Sequence, residues 1–432
     1  MDFQSDIINP YLLRRNIMKT VAVIGLGNRG AMYARRINAQ GGKVVAVCDI
    51  NASVLNHVAS KLGIAPDMRF NSTEELFARG KIADAIVVAS QDRDHYGHAK
   101  QALLLGYHVL CEKPVSPIKE ECVELVNLAK EKNLYMVVCH VLRYSGFYDA
   151  IKQVIDSGEI GEITNIQQTE NVGYWHFSHS YVRGNWRRED ETTPSILAKC
   201  CHDLDLLYYY TGKKCKSVSS IGSRKIFLAE KAPEGATERC SKDCPHYKTC
   251  PYYAPRFYYE FTLHSIPVYL NRWSLVTRMG NPTRQQVKEA LATTSPYGRC
   301  VYHSDNDVIE NQTVLCKFDG DINATLTMNC SSRGCFRRVH ITGTKGELFG
   351  RDIDGKFRLN VWGKRSRMVR AKMGQGHLGG DSGIIHDFLE LLETGKPNPR
   401  VSFMSETVMS HLMAFAAEES RKQGGVLVPI NE

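Results

Sequence analysis

A glycine-rich turn near the start of the chain has the spacing of a dinucleotide-binding site. Gly25-Leu-Gly27-Asn-Arg-Gly30 follows an apolar, β-branched run over residues 19–24, and a helical pattern follows the turn. Asp49 ends a second β-branched run, 24 residues beyond Gly25. Such a turn presents peptide N–H groups and the positive end of a helix dipole to a pyrophosphate, while the acidic residue binds ribose hydroxyls. The spacing predicts NAD(H), because a carboxylate at Asp49 repels the 2′-phosphate of NADP(H).

Each residue of this turn has its own expected role. Gly25 permits the tight turn, Gly27 lets the backbone approach the pyrophosphate, and Gly30 allows close packing of helix on strand. Asn28 is a further candidate contact to the cofactor. Arg29 either faces a phosphate or the adenine, or is a solvated loop arginine. The alternative for the whole segment is a glycine-rich turn without a ligand.

Polar residues follow two later strand patterns, at 85–89 and 107–111. Ligands of parallel sheets bind beyond the carboxyl ends of the strands. The predicted cofactor contacts at these ends are therefore Ser90, His95, Glu112 and Lys113. A lysine beside a nicotinamide can also hydrogen-bond the reacting oxygen and stabilise its developing negative charge, so Lys113 is a candidate catalytic residue. The alternative for Lys113 is a surface lysine beside a turn proline.

The order of strand and helix patterns predicts how these residues are positioned. Alternation over residues 18–142 predicts an α/β Rossmann domain with a doubly wound parallel sheet, preceded by an N-terminal extension over residues 1–17. Residues 143–404 are expected to form an α+β domain, and the C-terminal helix in residues 405–432 to return to the Rossmann domain. The strand patterns of the second domain lie at 164–171, 267–274, 313–318, 324–329 and 338–342, and its framing helices at 195–210 and 381–392.

Segments spread over residues 18–430 carry a family resemblance. They include the glycine-rich turn, His95 with Ala99, Ala102, Gly106 and Val109 leading into Glu112-Lys-Pro, and the segments 143–148, 157–163, 202–205, 377–381 and 417–421. In this combination the chain resembles the glucose–fructose oxidoreductase/inositol dehydrogenase/rhizopine catabolism (Gfo/Idh/MocA) family. The resemblance implies a second domain with a large, open, mostly antiparallel sheet whose outer face often mediates oligomerisation. It also implies that Lys113 touches cofactor and substrate and that His202 is the catalytic acid/base.

The helix that carries His202 departs from the family pattern. An unperturbed imidazole has a pKa of about 6.5, which suits proton exchange near neutrality, although a lone histidine is more often structural. The family often carries an aspartate four residues earlier, where this chain has Ala198. Lys199 lies on roughly the same helical face as His202. It either replaces the carboxylate in binding substrate, is solvated, or pairs with Asp203.

The segment 175–187 is rich in aromatic and hydrogen-bonding side chains, which suits stacking on sugars and binding hydroxyls or carboxylates. The predicted substrate contacts are His179, Tyr181, Arg183 and Trp186, with Arg143, Tyr144, Lys199 and Asp205 behind them. Asp205 can instead orient the ring of His202 or contribute to packing. For the segment as a whole, the alternative is a packed loop at the domain junction.

Four cysteines lie in an insertion over about residues 222–310 that is expected to have little core of its own. Cys240-x3-Cys244-x5-Cys250, completed by Cys300, has the donors of a closed tetrahedral zinc site, with His246 as a spare ligand. Such a metal would hold the insertion in its folded form. Free thiols, an iron–sulfur cluster and disulfides are the alternatives.

Composition excludes several protein classes. The 432 residues are 43% hydrophobic and 23% charged, which excludes collagen, coiled coil and wholesale disorder. The longest apolar run is shorter than the roughly 18–20 residues of a membrane helix. The net charge of +9 is dispersed, which disfavours nucleic acid as a partner. The start of the chain lacks a signal-peptide pattern, so the fourteen cysteines are expected to be reduced thiols in the cytoplasm, some of them binding metal.

The sequence thus predicts an NAD(H)-dependent oxidoreductase that interconverts a hydroxyl and a ketone on a sugar, sugar acid or polyol. One alternative is a redox-cycling glycosidase, in which NAD transiently oxidises the sugar. Another is a non-catalytic NAD-binding regulatory protein. The protein is expected to form a dimer or tetramer and to bind neither nucleic acid nor membrane.

Overall fold

The computed structural model describes residues 18–261, 268–269 and 272–430, so the predicted extension over residues 1–17 lies outside the described residues. The first sheet has six parallel strands in the order β3-β2-β1-β4-β5-β6. Its strands are β1 (Thr20–Ile24), β2 (Lys43–Cys48), β3 (Arg69–Phe70), β4 (Ala85–Val88), β5 (His108–Cys111) and β6 (Met136–Val138). The strand order reverses between β1 and β4, where sheets of this kind bind their ligands. The predicted doubly wound parallel sheet is confirmed.

Helices cover both faces of this sheet. The connecting helices are α1 (Asn28–Ala39), α2 (Ala52–Leu62), α3 (Thr73–Ala78), α4 (His95–Leu104) and α5 (Lys119–Glu131). One face packs against α1, α2 and a helix from the end of the chain, α12 (Gly380–Thr394). The opposite face packs against α3, α4 and α5. Burial of both faces explains the uninterrupted apolar runs of these strands.

The second sheet has nine strands in the order β14-β13-β12-β11-β7-β10-β9-β8-β15. They are β7 (Ile163–Gly173), β8 (Cys215–Ser223), β9 (Asn311–Phe318), β10 (Asn323–Ser332), β11 (Phe336–Gly343), β12 (Gly346–Arg351), β13 (Lys356–Val361), β14 (Arg367–Arg370) and β15 (Val428–Pro429). Only the β7–β10 pair is parallel among the pairs of this sheet within the described residues. The expected large, mostly antiparallel sheet is therefore confirmed.

The remaining helices are α6 (Gly146–Asp156), α7 (Tyr174–Phe177), α8 (Ser195–Thr211), α9 (Ala254–Tyr258), α10 (Trp273–Thr277), α11 (Arg284–Ala292) and α13 (Met404–Lys422). One face of the nine-stranded sheet packs on α6, α8 and α13 in a single apolar core. Along β9, buried and exposed side chains alternate, so the other face of the sheet is exposed. Helix α13 also contacts α5 and β6, so it joins the two sheets, as expected of the C-terminal helix.

The insertion between β8 and β9 differs from expectation in two ways. Residues 268–269 form a turn and α10 begins at Trp273, so the predicted strand at 267–274 is wrong over its described part. The insertion also has a small core, in which Tyr258, Tyr269 and Tyr297 are buried together. Aromatic packing explains both differences, because Tyr269 joins this core and the Trp273 indole donates to the carbonyl of Tyr258 (2.7 Å).

Within the described ranges, no helix combines the length and apolarity needed to cross a bilayer.

Candidate active site

The glycine-rich turn lies between the end of β1 and the start of α1. Gly25 has a φ of +81°, and a Cβ there would lie 2.4 Å from the carbonyl oxygen of Ala89. A Cβ on Gly30 would lie 1.8 Å from the carbonyl oxygen of Gly25. A Cβ on Gly27 would meet nothing within 4 Å among the described residues. Gly25 and Gly30 thus serve the packing of strand and helix, whereas Gly27 leaves open space above the turn, and Asn28 beside it is exposed.

Asp49 fixes the shape of this turn. Its carboxylate accepts hydrogen bonds from the peptide N–H of Leu26 (2.7 Å) and from that of Asn51 (2.8 Å). A carboxylate oxygen can accept more than one hydrogen bond, so these contacts leave acceptor capacity for ribose hydroxyls. The predicted contact of Asp49 with a ribose stays a prediction.

Arg29 is held by carboxylates and is not a solvated loop residue. Its guanidinium forms ion pairs with Glu112 (2.6 Å) and Asp381 (2.9 Å) and lies over the ring of Tyr33. The Tyr33 hydroxyl donates to Glu112 (2.7 Å). The network ties the turn after β1 to the turn after β5 and to α12. Arg29 is therefore committed to protein partners, which argues against its predicted role as a phosphate or adenine contact.

Glu112 is buried at the centre of this network. Burial alone would raise the pKa of Glu112, but the charges of Arg29 and Lys113 hold that pKa below its usual value. One oxygen of Glu112 also accepts the peptide N–H of Lys113 (3.1 Å). An ionised Glu112 therefore holds the guanidinium of Arg29 and the backbone of Lys113, and its predicted contact with the cofactor stays a prediction.

Lys113 connects the Rossmann sheet to helix α8. The peptide bond from Lys113 to Pro114 is cis. The ammonium group donates to the carbonyl oxygen of Ala198 (2.6 Å), one helical turn before His202. The structure thus brings the two predicted catalytic residues to one place at the carboxyl end of the parallel sheet.

His202 is buried, with 7% of its surface exposed. Its Nδ1 has no hydrogen-bond partner among the described residues. Burial lowers the pKa of His202 well below its usual value, and the positive charge of Lys113 lowers it further. Its ring lies 5.7 Å from the ring of His140 and 6.3 Å from that of His377. At neutral pH, His202 is therefore an uncharged imidazole that can accept a proton.

Two further predicted cofactor contacts lie after β4. The ring of His95 lies between the carbonyl oxygens of Pro114 (2.7 Å from Nδ1) and Ser90 (3.2 Å from Nε2). His95 therefore positions the turns after β4 and β5, and its predicted direct contact with the cofactor is corrected to this supporting role. Ser90 is partly exposed, and its hydroxyl is 3.0 Å from Nδ1 of His98.

Lys199, on helix α8, lies in a buried charge network with residues of the nine-stranded sheet. It is neither solvated nor paired with Asp203, because its ammonium is 3.2 Å from Glu170 on β7. Arg337 on β11 bridges Glu170 (2.7 Å) and Asp203 (2.8 Å). Burial acts to lower the pKa of Lys199, but the charge of Glu170 outweighs it and raises that pKa. This chain thus lacks a carboxylate at Ala198, but the buried carboxylate of Glu170 pairs with the next residue, Lys199.

Three predicted substrate contacts instead stabilise the protein interior. The guanidinium of Arg143 makes two hydrogen bonds of 2.7 Å to the carboxylate of Asp205, and both residues are buried. The hydroxyl of Tyr144 accepts the peptide N–H of Ser402 (3.0 Å). Their polar atoms are occupied by protein groups, so Arg143, Tyr144 and Asp205 are removed from the predicted substrate site.

His179 and Arg183 are also corrected. Both lie in a π-helical turn, Ser178–Arg183, that packs against the insertion. The His179 ring stacks between Tyr269 and Tyr297, at centroid distances of 4.0 and 4.5 Å. Burial lowers its pKa to about 3. Arg183 is fully buried against the cysteine segment, so neither side chain is available to a substrate.

Tyr181 and Trp186, two further predicted substrate contacts, lie beside each other, with their ring centroids 6.1 Å apart. Tyr181 stacks on Phe177 and is buried. The indole N–H of Trp186 donates to Asp92 (2.8 Å), and burial raises the pKa of that aspartate. The predicted substrate contact of Tyr181 stays a prediction, whereas the polar atom of Trp186 is already bound.

The cysteines of the insertion are unpaired and partly exposed. Burial raises the pKa of Cys250 and of Cys300, while peptide N–H groups of Tyr252 and Tyr302 act to lower it. Across the part of the chain that the structure describes, three or more potential metal ligands lie within 4.8 Å of one another only at His386, Asp387 and Glu390. No three of the four sulfurs therefore lie within 4.8 Å of one another, so they do not form a closed ligand set.

Sequence reasoning missed the partners that position the site. Tyr33, Asp92, His140, Glu170 and Arg337 are all engaged around Lys113 and His202. Of these, only Tyr33 carries a usable sequence signal, because it lies four residues after Arg29 on the same face of α1.

Two protein-family models match the chain. The Gfo/Idh/MocA model described as an oxidoreductase family with an NAD-binding Rossmann fold matches residues 19–140. The model of the Gfo/Idh/MocA C-terminal domain matches residues 148–234.

Relatives and solved structures agree with these matches. Inositol 2-dehydrogenase of Salmonella typhimurium is 27% identical over 48% of this chain and 58% of its own length. A glycosyl hydrolase family 109 protein of Streptomyces coelicolor is 30% identical over 39% of this chain and 38% of its own. The chain thus spans about half or less of the length of these curated relatives.

The solved structure of levoglucosan dehydrogenase with NADH and levoglucosan superposes with a TM-score of 0.69 at 15% identity, covering 96% of this chain and 100% of that one. At this identity the likeness concerns the fold, which is shared over nearly the whole chain. Two models of one family, Gfo/Idh/MocA, whose N-terminal part is described as an NAD-binding oxidoreductase fold, thus match the Rossmann domain and the first part of the second domain.

Proposed function

We propose that the protein interconverts a hydroxyl and a ketone on a sugar, sugar acid or polyol, with NAD(H) as the hydride carrier. The observation that carries this proposal is the convergence of Lys113 and His202. The Lys113 ammonium reaches the carbonyl of Ala198, one turn before His202 and at the carboxyl end of the parallel sheet. Relatives named for inositol and levoglucosan dehydrogenation support polyhydroxylated substrates.

The protein groups have complementary tasks in this reaction. NAD⁺, when bound, supplies the hydride acceptor. Gly25, Gly27, Gly30 and Asp49 would hold it. The remaining N–H donors of Lys113 stabilise negative charge on the reacting oxygen, and neutral His202 accepts the hydroxyl proton. In the reverse direction, protonated His202 returns that proton to the oxygen.

A screen of sugars, sugar acids and polyols tests the proposal. Each compound is incubated with NAD⁺, or its ketone with NADH, and the absorbance of the reduced nicotinamide is followed. Lys113→Met and His202→Gln are each expected to lower kcat by about 10²–10⁴-fold while NADH still binds. Lys132→Met, at an exposed lysine, is the control. NADH binding without turnover of any compound would favour the non-catalytic regulatory alternative.

A redox-cycling glycosidase is the second candidate, favoured by the match to the glycosyl hydrolase family 109 protein. Transient oxidation of the sugar acidifies a neighbouring C–H bond, and the hydride returns after the glycosidic bond breaks. Analysis of the products separates the two candidates. The glycosidase releases free sugar without accumulating NADH, whereas the dehydrogenase forms one NADH for each ketone.

We also propose one structural zinc ion bound by Cys240, Cys244, Cys250 and Cys300. Four thiol donors suit zinc, and the neighbouring peptide N–H groups suit thiolates, although the sulfurs must draw together around the ion. Metal analysis of protein produced with zinc tests this. Less than about half a zinc per chain would contradict it, and an equivalent amount of iron would indicate a cluster instead.

We also propose that the protein is a homo-oligomer in the cytoplasm. The exposed face of the nine-stranded sheet carries large apolar side chains, including Leu315 on β9 and Phe349 on β12. All fourteen cysteines are unpaired, as expected in a reducing compartment. Light scattering after size exclusion should give a dimer or tetramer. A monomeric mass for both the unaltered chain and Leu315→Lys would contradict this.

A further inference from the structure

A short loop before α12 contains a run of left-handed backbone. Gly376, His377, Leu378 and Gly379 are consecutive residues with positive φ, at +69°, +40°, +58° and +98°. Residues with a Cβ rarely adopt this conformation, so two of them in succession are unfavourable. Backbone strain of this kind clusters at functional sites, where the surrounding structure maintains it. The side chains of this loop are therefore candidates for a role beyond packing.

Backbone contacts hold the loop in this conformation. The peptide N–H of Gly379 donates to the carbonyl of Gly376 (2.8 Å). The next residue, Gly380, begins α12 and packs directly on the turn after β6. A Cβ on Gly380 would lie 2.0 Å from the carbonyl oxygen of Val141. The backbone that carries His377 is thus fixed on both sides.

His377 lies beside His202. The centres of the two rings are 6.3 Å apart, and 43% of the His377 side chain is exposed. Its Nδ1 lies 2.9 Å from the carboxylate of Asp381 and 3.4 Å from the guanidinium of Arg29, so both of these contacts use the same ring nitrogen. Arg29 belongs to the glycine-rich turn, so these contacts also fix His377 relative to the predicted cofactor site.

The charge of Asp381 determines which nitrogen of His377 carries the proton. Burial acts to raise the pKa of Asp381, but the hydrogen bond with His377 and the charge of Arg29 lower that pKa to about 2. Burial lowers the pKa of His377, and the contact with Asp381 only partly offsets this effect. At neutral pH an ionised carboxylate, which can only accept, therefore faces an uncharged imidazole, whose proton lies on Nδ1. Nε2 of His377 is then a hydrogen-bond acceptor.

We propose that His377 is a second substrate-binding imidazole, whose Nε2 accepts a hydrogen bond from the hydroxyl next to the reacting one. The proposal rests on the proposed oxidoreductase function, in which neutral His202 accepts the proton of the reacting hydroxyl. Because a hydrogen bond spans about 2.8 Å, two rings with centres 6.3 Å apart can each contact one of two hydroxyls on adjacent carbons. Two acceptors require two donors, so the geometry selects a substrate with a free vicinal diol.

His377→Asn removes Nε2 and keeps the rest of the arrangement, because asparagine tolerates a positive φ and its amide can still donate to Asp381. His386→Asn is the matched control, since His386 also lies beside an aspartate but is 65% exposed on α12. For the substrate found in the screen, we expect His377→Asn to raise KM at least about fivefold, with NADH affinity and urea stability unchanged. His386→Asn should keep the KM of the unaltered protein. An unchanged KM in His377→Asn would overturn the contact.

Monodeoxy analogues of that substrate distinguish a hydroxyl contact from a structural role of His377. Each analogue lacks one of the two hydroxyls that flank the reacting carbon. With the unaltered protein, we expect one analogue to have a kcat/KM at least about tenfold below that of the parent compound. His377→Asn should lose most of this discrimination. Equal discrimination in both proteins would overturn the proposal, because a structural role would not depend on the analogue.

Chemical modification of the unaltered protein keeps the proposal testable if His377→Asn does not fold. Diethyl pyrocarbonate acylates accessible, uncharged histidines, and mass spectrometry locates the modified residues. With NADH bound, substrate at about ten times its KM should slow the modification of His377 about tenfold by mass action and leave that of His386 unchanged. Equal rates at His377 with and without substrate would overturn the contact. Absence of turnover for every compound in the screen would instead refute the proposed function, and this inference with it.

Discussion

Gly27 and Gly30 lie three residues apart, and we expect substitution by alanine to have a different effect at each. In Gly30→Ala, the new Cβ would lie 1.8 Å from the carbonyl oxygen of Gly25, where real Cβ atoms keep at least 3.0 Å. Helix α1 must therefore move by more than an ångström from the turn, because the contact is with backbone. Overpacking of this kind costs about 1–3 kcal/mol of unfolding free energy or more.

Gly27→Ala should leave the fold intact and damage the cofactor site. Its Cβ meets nothing within 4 Å among the described residues, and a φ of −63° is accessible to alanine. The cost in unfolding free energy is that of an alanine N-cap, at most about 1 kcal/mol. The methyl group would occupy the space through which a pyrophosphate approaches the turn. We expect NADH affinity to fall by at least about tenfold, or 1.4 kcal/mol.

Urea unfolding without cofactor and fluorescence titration with NADH separate the two variants. Gly30→Ala should lose stability, whereas Gly27→Ala should keep its stability and lose NADH affinity. Gly97→Ala, at an open position on α4, is the control for both measurements. NADH affinity in Gly27→Ala equal to that of the unaltered protein would refute the assignment of the open space above the turn to the cofactor.

Three further predictions follow from buried or charged groups. Burial lowers the pKa of eight histidines among the described residues, namely His98, His108, His140, His176, His179, His202, His377 and His411. Below about pH 6.5 the unfolded chain therefore binds more protons than the folded chain. In urea unfolding, the free energy of unfolding should decrease as the pH is lowered, by up to about 1.4 kcal/mol per pH unit for each histidine. A flat profile between pH 7 and 5 would contradict their burial. Arg143→Met leaves the charge of Asp205 buried without its partner, so the free energy of unfolding should fall by about 3–5 kcal/mol. If the substitution changed only KM, Arg143 would be a substrate contact after all. Asp49→Ser should reduce the preference for NADH over NADPH in parallel binding titrations, and an unchanged ratio would contradict the ribose contact.

The cofactor half of the site could be predicted because its signals are local. The glycine spacing, the apolar strands and Asp49 all lie within one β–α–β unit, where the residue type directly sets the backbone geometry. The position of Lys113 could be predicted in the same way, since it lies two residues after the end of a buried strand.

The substrate half could be predicted less well because its partners are distant in sequence. Arg143 pairs with Asp205, 62 residues away, and Arg183 bonds to Arg299, 116 residues away. An arginine on an aromatic segment gives the same pattern whether it faces a ligand or a buried carbonyl. Packing, and not local propensity, also decided against the strand at 267–274, where Tyr269 joins the core of the insertion.

A crystal structure with NADH and a polyol inhibitor tests most directly whether Lys113 and His202 serve one reaction. We expect the nicotinamide ring between the turn at Glu112–Pro114 and helix α8, with a single ligand oxygen within hydrogen-bond distance of both the Lys113 ammonium and the His202 ring. A nicotinamide directed away from α8, or a ligand oxygen that reaches only one of the two side chains, would contradict the proposed chemistry.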